Sequence, residues 1–211
     1  FAFPKLSLLL PENAKYSGEV VVLDIGIPDS FFEQFNTLFY YLNGTDLLSF
    51  HKKFHRFSHK GDFGKVLLVA GSKGKMGAAI LCTKSALRTG SGLVTCLIPE
   101  DERTAIHSSL PEGMAIFYDS ADNFSGYDAI GIGPGLGIDK YSLLERLFDN
   151  YNHPIVLDAD ALTIMANNPI LFSKIPKESI LTPHLGEFER LFGKFDSHLD
   201  RLKFAKEFCK T

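Results

Sequence analysis

Short apolar runs alternate with helix-like segments along most of the chain, and this alternation restricts the fold more than any other feature. The apolar runs predict strands at Val66–Ala70, Leu93–Ile98, Ala115–Tyr118, Ala129–Ile132, Ile155–Leu157 and Ile180-Leu181. Helical spacing predicts helices at Met76–Thr89, Asp101–Ser108, Lys140–Asn150, Leu162–Ala166 and around Phe188, Leu191 and Phe192. Strands and helices in this order predict an α/β fold with three layers, in which helices cover both faces of a mostly parallel sheet.

The first 45 residues do not follow this alternation. Two apolar runs, Leu6–Leu10 and Glu19–Ile25, are separated by Pro11-Glu12-Asn13. We interpret them as two strands joined by a turn. The aromatic and polar stretch of residues 29–50 is interpreted as a connector. The predicted division is therefore a segment of residues 1–45 and a second domain of residues 46–211.

Composition excludes several classes of protein. The 211 residues include 22 Lys and Arg against 25 Asp and Glu, a net charge of −3, which argues against nucleic acid as the main partner. No apolar run reaches the roughly 18 residues that a membrane-spanning helix requires, so no membrane is expected. Cys82, Cys96 and Cys209 are an odd number without metal-site spacing. We interpret them as free thiols and expect a cytoplasmic protein without a metal bound by its own side chains.

A small basic cluster precedes the first predicted strand of the alternating region. It consists of His51, Lys52, Lys53, His55, Arg56, His59 and Lys60. Either it is a solvated face, or it is a rim that faces phosphate groups, which Lys and Arg bind well.

The stretch Asp128–Gly137 contains the predicted strand Ala129–Ile132 and has glycine at every second position from Gly131 to Gly137. Such glycines allow positive φ angles and let a ligand approach the backbone. The spacing fits no dinucleotide-binding fingerprint, because Leu136 and Ile138 stand where that motif needs Gly. The chain also lacks a Walker A motif at Gly71. The stretch is either a tight turn without a ligand or a ligand-binding strand end.

Three other predicted strand ends carry candidate groups. Gly71–Gly77 opens a helix, where small residues would serve either close packing or an anionic ligand at the helix start. Asp158 and Asp160 could bind magnesium through water, hold a hydroxyl group or cap the next helix. His184 is a candidate for binding or proton transfer, whereas Glu187 is explained by its place near a helix start.

Taken together, these segments resemble one family. They are His59–Gly64, Val66–Ser72, Gly77–Ala79, Ala86–Val94, Gly131–Gly137, Leu157–Leu162 and Thr182–Glu187, in that order. This pattern is similar to the NAD(P)H-hydrate dehydratase domain of the ribokinase-like superfamily. Residues 1–28 resemble the closing strands of the NAD(P)H-hydrate epimerase domain, which precedes the dehydratase in bifunctional members.

The resemblance implies a function in the repair of nicotinamide nucleotides. NADH or NADPH hydrated at C6 is returned to the intact dinucleotide at the expense of ADP or ATP, with Mg²⁺, while K⁺ is expected only for the epimerase half. By position, Ala78, Gly135 and His184 match family residues that bind the hydrated substrate, and Asp160 faces the same cleft. A homo-oligomer is also expected.

The resemblance leaves part of the expected machinery outside the sequence. The family's Gly-Thr-Gly-Asp segment, with the Asp expected to act as catalytic base, would lie beyond Thr211, so the fold is expected to be incomplete and these residues alone inactive. Leu185 and Ser91 are minor departures from the family's frequent Pro and Ala. Two alternatives stay open: a small-molecule kinase of the same superfamily, such as one for hydroxymethylpyrimidine, and a non-catalytic nucleotide-binding module.

Overall fold

The computed structural model describes residues 3–48, 50, 55–118 and 123–210. The chain divides into two compact units, of which the first combines Phe1–Lys53 with Lys194–Thr211 and the second is Phe54–Gly193. The domain boundary near residue 45 stays a prediction. Residues 51–53 of the basic cluster lie outside the described residues.

The second unit contains a parallel sheet of six strands. They are β1 Lys65–Val69, β2 Leu93–Ile98, β3 Met114–Phe117, β4 Ala129–Ile132, β5 Ile155–Leu157 and β6 Ile180–Leu181. The spatial order is β3-β2-β1-β4-β5-β6, and every neighbouring pair is parallel. The order reverses between β1 and β4, and open parallel sheets bind ligands at the carboxyl ends of strands beside such a reversal.

Ten helices are found in the described part of the chain. They are α1 Leu6–Leu9, α2 Ala14–Ser17, α3 Asp29–Phe32, α4 Gly44–Leu48, α5 Met76–Arg88, α6 Arg103–Ser109, α7 Tyr141–Asn150, α8 Ala159–Asn167, α9 Leu185–Phe192 and α10 His198–Phe208. Short 3₁₀ turns lie at Pro11–Asn13, Lys60–Phe63, Glu100–Glu102 and Pro169–Lys174. The six strands and the helices α5 to α9 confirm the α/β class, with bounds that differ from the predicted ones by a few residues.

The two faces of the sheet are covered to different extents. On one face, Leu67, Ile130 and Leu157 are fully buried in a large apolar cluster that includes α7 and α8. On the other face, a smaller cluster joins Cys96 and Ile98 to α5 and α6. That second face is open toward β5 and β6, where Val156 and Ile180 are 40% and 57% exposed. The large cluster therefore provides most of the rigid support for the strand ends.

The prediction of two strands near the amino terminus is wrong. Leu6–Leu9 forms a short helix, and residues 19–25 have no regular secondary structure. A strand needs a neighbour that accepts and donates its backbone hydrogen bonds. Within the described residues no strand pairs with this segment, so Leu6–Leu9 forms its hydrogen bonds locally.

No helix among the described residues is long and apolar enough to cross a membrane.

Candidate active site

The strand ends of β1 and β4 bring Ala78 and Gly135 into direct contact. Gly135 has φ +64°, and a Cβ atom placed on it would lie 2.9 Å from Cβ of Ala78 and 3.0 Å from the carbonyl oxygen of Lys75. Only glycine fits this position without strain or movement. The contact leaves a surface of backbone and a single methyl group, against which a flat ligand could lie.

Hydrogen bonds tie the loop after β1 to the loop after β4. The N–H of Gly71 donates to the carbonyl oxygen of Pro134 over 2.9 Å, and Oγ of Ser72 donates to that of Gly135 over 2.8 Å. The hydroxyl of Tyr118 donates to the carbonyl oxygen of Gly71 over 2.7 Å. Burial raises the pKa of Tyr118, so this hydroxyl keeps its proton and remains a donor at neutral pH. The two loops are therefore held as one rigid platform.

Asp160 connects this platform to the end of β5. One carboxylate oxygen, Oδ2, accepts the N–H of Gly137 over 2.8 Å and lies 3.4 Å from Nζ of Lys75. Asp158 occupies the N-cap position of α8 but its side chain makes no capping hydrogen bond. Between the two carboxylates, Ala159 has φ +48°, a conformation that costs a non-glycine residue roughly 1 kcal/mol or more. Because the Asp158 side chain makes no capping hydrogen bond, it does not cap α8, which was one of the three alternatives for this pair.

His184 has a structural role that the sequence analysis did not identify. It is the N-cap residue of α9, and its Nδ1 accepts the N–H groups of Gly186 and Glu187 over 3.0 and 3.3 Å. Glu187 accepts the backbone N–H of His184 in return, over 2.9 Å, which completes a capping box. Because Nδ1 accepts, the proton of the neutral ring lies on Nε2, which is 3.2 Å from Oε1 of Glu187. The imidazole is mostly exposed, so its outer face stays open to a ligand.

The four predicted site residues lie at the same edge of the sheet, but not all in contact. Ala78 and Gly135 touch, and Asp160 binds the loop two residues beyond Gly135. His184 follows β6, two strands away from β4, a separation of about 10 Å. Helices α8 and α9 join it to the rest through the hydrogen bond from Arg190 to Thr163.

A cleft of about 470 Å³ opens on the less covered face of the sheet, next to these strand ends. It is lined by Leu68, Ala70, Cys82, Gly131, Ile132, Pro134, Val156, Asp158 and Thr182. Burial and the negative charge of Asp158 raise the pKa of the Cys82 thiol, so that thiol is protonated at neutral pH. The cleft is mainly apolar, with its polar groups at the carboxyl ends of the strands.

The described residues offer no complete site for a magnesium ion. No group of three His, Cys, Asp or Glu side chains converges anywhere in this part of the chain. Oδ2 of Asp160, moreover, is already occupied by the Gly137 N–H and the Lys75 ammonium group. Side chains alone therefore do not enclose a magnesium ion here, and binding of Mg²⁺ by the two carboxylates through water stays a prediction.

Three residues of this platform were missed by the sequence analysis: Lys75, Ser72 and Tyr118. Ser72 and Lys75 lie inside the glycine-rich loop Gly71–Gly77, but nothing in the local pattern indicates that they reach the loops after β4 and β5. Tyr118 follows β3, which lies two strands away from β1. All three make contacts over long sequence separations that spacing alone does not reveal.

The fold defines the class of the protein. It matches a ribokinase-like superfamily protein from Enterococcus faecalis with a TM-score of 0.69, at 22% identity, over 82% of this chain and 66% of that one. It also matches the ADP/ATP-dependent NAD(P)H-hydrate dehydratase of Bacillus subtilis, crystallised with ATP and Mg²⁺. That match has a TM-score of 0.60 and 31% identity, and covers 74% of this chain and 57% of that one. The chain is an α/β protein with the ribokinase-like fold.

Residues 66–211 match the NAD(P)H-hydrate dehydratase family, and the chain belongs to that family. It is 34% identical over 230 aligned positions to a bifunctional NAD(P)H-hydrate repair enzyme from Moorella thermoacetica, covering 100% of this chain and 43% of the relative. It is 36% identical over 148 positions to an ADP-dependent (S)-NAD(P)H-hydrate dehydratase from Lactococcus lactis, covering 67% of this chain and 54% of the relative. The chain thus spans about half the length of these curated relatives.

Proposed function

We propose that the full-length protein containing this chain converts (S)-NADH hydrate or (S)-NADPH hydrate back to NADH or NADPH at the expense of ADP or ATP. The observation that carries the proposal is the family match over residues 66–211, joined to a glycine platform at the strand ends where open parallel sheets bind ligands. The named activities of the relatives support the same reaction.

The chemistry suits a fold used for phosphoryl transfer. The C6 hydroxyl of the hydrate attacks the terminal phosphoryl group of the nucleotide and loses its proton to a base, which releases AMP from ADP. The phosphate of the resulting ester is a good leaving group, unlike the original hydroxyl group. The ring nitrogen then supplies the electron pair that expels inorganic phosphate, and loss of the C5 proton restores the double bond of the dihydronicotinamide.

We assign the residues of the platform to binding the hydrate. The Ala78–Gly135 contact would take one face of the hydrated nicotinamide ring, because Gly135 has no side chain and Ala78 has only a methyl group, with Lys75 beside them. His184 would contact the substrate from the end of β6 with the exposed part of its ring. Asp160, whose carboxylate is already bound by protein groups, would shape this surface by holding the loop at Gly137.

The proposed function also bears on the metal ions, the other half of the protein and its location. We propose that Mg²⁺ arrives with the adenine nucleotide, because the described side chains do not build a site for the free ion. The alignment of the whole chain with a bifunctional repair enzyme supports an epimerase half in the intact protein, with K⁺ as its expected ion. The free cysteines support a cytoplasmic location, and a homo-oligomer stays a prediction.

The test is the recovery of reduced-nicotinamide absorbance from enzymatically prepared NADH hydrate, using the longest natural chain that contains these residues. Parallel reactions contain ADP, ATP or neither, each with Mg²⁺, and AMP, ADP and inorganic phosphate are quantified. We expect recovery that depends on one nucleotide, with one phosphate released per NADH restored.

Two outcomes would contradict the proposal. A stable phosphorylated product without restored absorbance would indicate a small-molecule kinase instead. Nucleotide binding without turnover of any hydrate would indicate a non-catalytic binding module.

A further inference from the structure

Lys75 is an unfavourable residue at the start of the helix that it precedes. It is the N-cap residue of α5, Met76–Arg88, and its side chain makes no capping hydrogen bond. Ser, Thr, Asp and Asn are the favoured residues at this position. The amino end of a helix also carries a partial positive charge, which disfavours a cation there. Helix stability therefore does not explain a lysine at position 75.

Lys75 lies directly beside the two predicted substrate positions. Its Cβ would be 3.3 Å from a Cβ on Gly135, so its side chain starts at the Ala78–Gly135 contact. The ammonium group lies 3.4 Å from Oδ2 of Asp160, and the Lys75 side chain is 55% exposed. An ion pair this exposed stabilises a protein by about 0–1 kcal/mol, so it too is a weak reason for the lysine.

We infer that Lys75 contacts a phosphate group of the hydrated nicotinamide dinucleotide, an inference that rests on the proposed function. An ammonium group has three hydrogen-bond donors, and Asp160 takes one of them. The other two donors belong to an exposed side chain beside the Ala78–Gly135 contact, and they can bind the negatively charged pyrophosphate. Helix α5 begins at the residue after Lys75, and the partial positive charge at its amino end favours the same anionic group.

Asp160 is the positioning residue for this contact. Its Oδ2 binds the Gly137 N–H over 2.8 Å and the Lys75 ammonium group over 3.4 Å. The carboxylate thereby links the loop after β4 to the start of α5. It restricts a long flexible side chain to the edge of the sheet where the substrate lies.

The decisive variant is Lys75→Met in the full-length protein, which removes the charge but keeps an unbranched apolar stem. We expect the KM for NADH hydrate to rise about tenfold to hundredfold, the range for one charge-assisted hydrogen bond, with kcat little changed. The KM for ADP should stay within about twofold, because the contact is to the hydrate. Lys75→Arg should retain most of the affinity.

Lys73→Met is the matched control. Lys73 is exposed in the same loop and its replacement changes the net charge equally. A merely long-range attraction would make both methionine variants raise the KM to the same degree. We expect Lys73→Met to remain near the wild-type value.

Asp160→Asn tests the positioning role, because Oδ1 of Asn can still accept the Gly137 N–H. We expect the KM for the hydrate to rise up to about fivefold, as for the loss of an exposed ion pair. The double variant Lys75→Met/Asp160→Asn should equal Lys75→Met alone, since Asp160 acts through Lys75. An unchanged or lower KM for the hydrate in Asp160→Asn would overturn the positioning role.

An unchanged KM for the hydrate in Lys75→Met would overturn the inference while leaving the proposed function intact. A raised KM for ADP instead would assign Lys75 to the nucleotide donor and also overturn it. If the wild-type protein restores no NADH, the proposed function fails first. In that event, unchanged binding of NADH hydrate to Lys75→Met by calorimetry overturns the inference as well, whereas loss of that binding supports it.

Discussion

The closest backbone approach beneath the candidate site is at Gly133, where the end of β4 passes the end of β5. A Cβ on Gly133 would lie 1.7 Å from the carbonyl oxygen of Asp158, and φ is +132°. An ordinary carbon–oxygen contact is about 3.3 Å or longer, so Gly133→Ala would force the two strand ends apart by about 1.5 Å.

The cost of that displacement follows from the hydrogen bonds that hold the strand ends. The N–H of Asp158 donates to the carbonyl oxygen of Ile132 over 3.0 Å, and the N–H of Gly133 donates to that of Val69 over 3.0 Å. Each buried group left without a partner costs about 1–3 kcal/mol, and the positive φ adds about 1–3 kcal/mol for a residue with a Cβ. With two such groups and the positive φ, we expect Gly133→Ala to lower the free energy of unfolding by about 3 kcal/mol or more, a large part of the stability of an ordinary domain.

The assay is urea denaturation followed by far-UV circular dichroism, because the chain contains no tryptophan. Gly74→Ala is the matched control, since Gly74 has φ +79° and a Cβ placed on it would meet no atom within 4 Å. That variant should lose only the conformational part, about 1 kcal/mol. If the two variants lose the same free energy of unfolding, then the close approach to β5 contributes nothing and the reasoning is refuted.

Three further results are expected. Gly135→Ala should destabilise the protein by about 2 kcal/mol. A double-mutant cycle of Gly135→Ala with Ala78→Gly, measured by urea denaturation, should give a coupling energy near 1 kcal/mol, about enough to offset the cost of glycine in helix α5. Strict additivity would contradict the direct contact. Burial raises the pKa of Cys96 to about 11, so its thiol stays protonated below that pH. Cys96 should therefore react with iodoacetamide much more slowly than the exposed Cys209, as measured by mass spectrometry. Equal rates at pH 8 would refute this prediction. His184→Ala should lower the stability by about 1 kcal/mol because the N-cap of α9 is lost, whereas His184→Ser, which keeps a capping side chain, should cost little. If the ring contacts the substrate, His184→Ser should nevertheless raise the KM for the hydrate. Equal thermal stabilities for the two variants would contradict the capping role.

The sheet and its helices could be predicted from the sequence, because their hydrophobic patterns are local. A buried parallel strand needs a continuous apolar run, and β2 Leu93–Ile98 and β4 Ala129–Ile132 have the bounds that the pattern predicted. The amphipathic spacing of α7 likewise located that helix within one residue. The same method was wrong for Leu6–Leu9, because an apolar run becomes a strand only if another strand lies beside it.

Which strand ends meet, and what each polar group does there, depends on the tertiary structure. The order of the strands places β4 beside β1, and this brings Gly135 against Ala78 although the two are far apart along the chain. Asp160 and His184 were both recognisable from sequence as polar groups at strand ends. Their partners were not, because a carboxylate that holds a distant backbone N–H and an imidazole that caps a helix depend on distances that no local pattern contains.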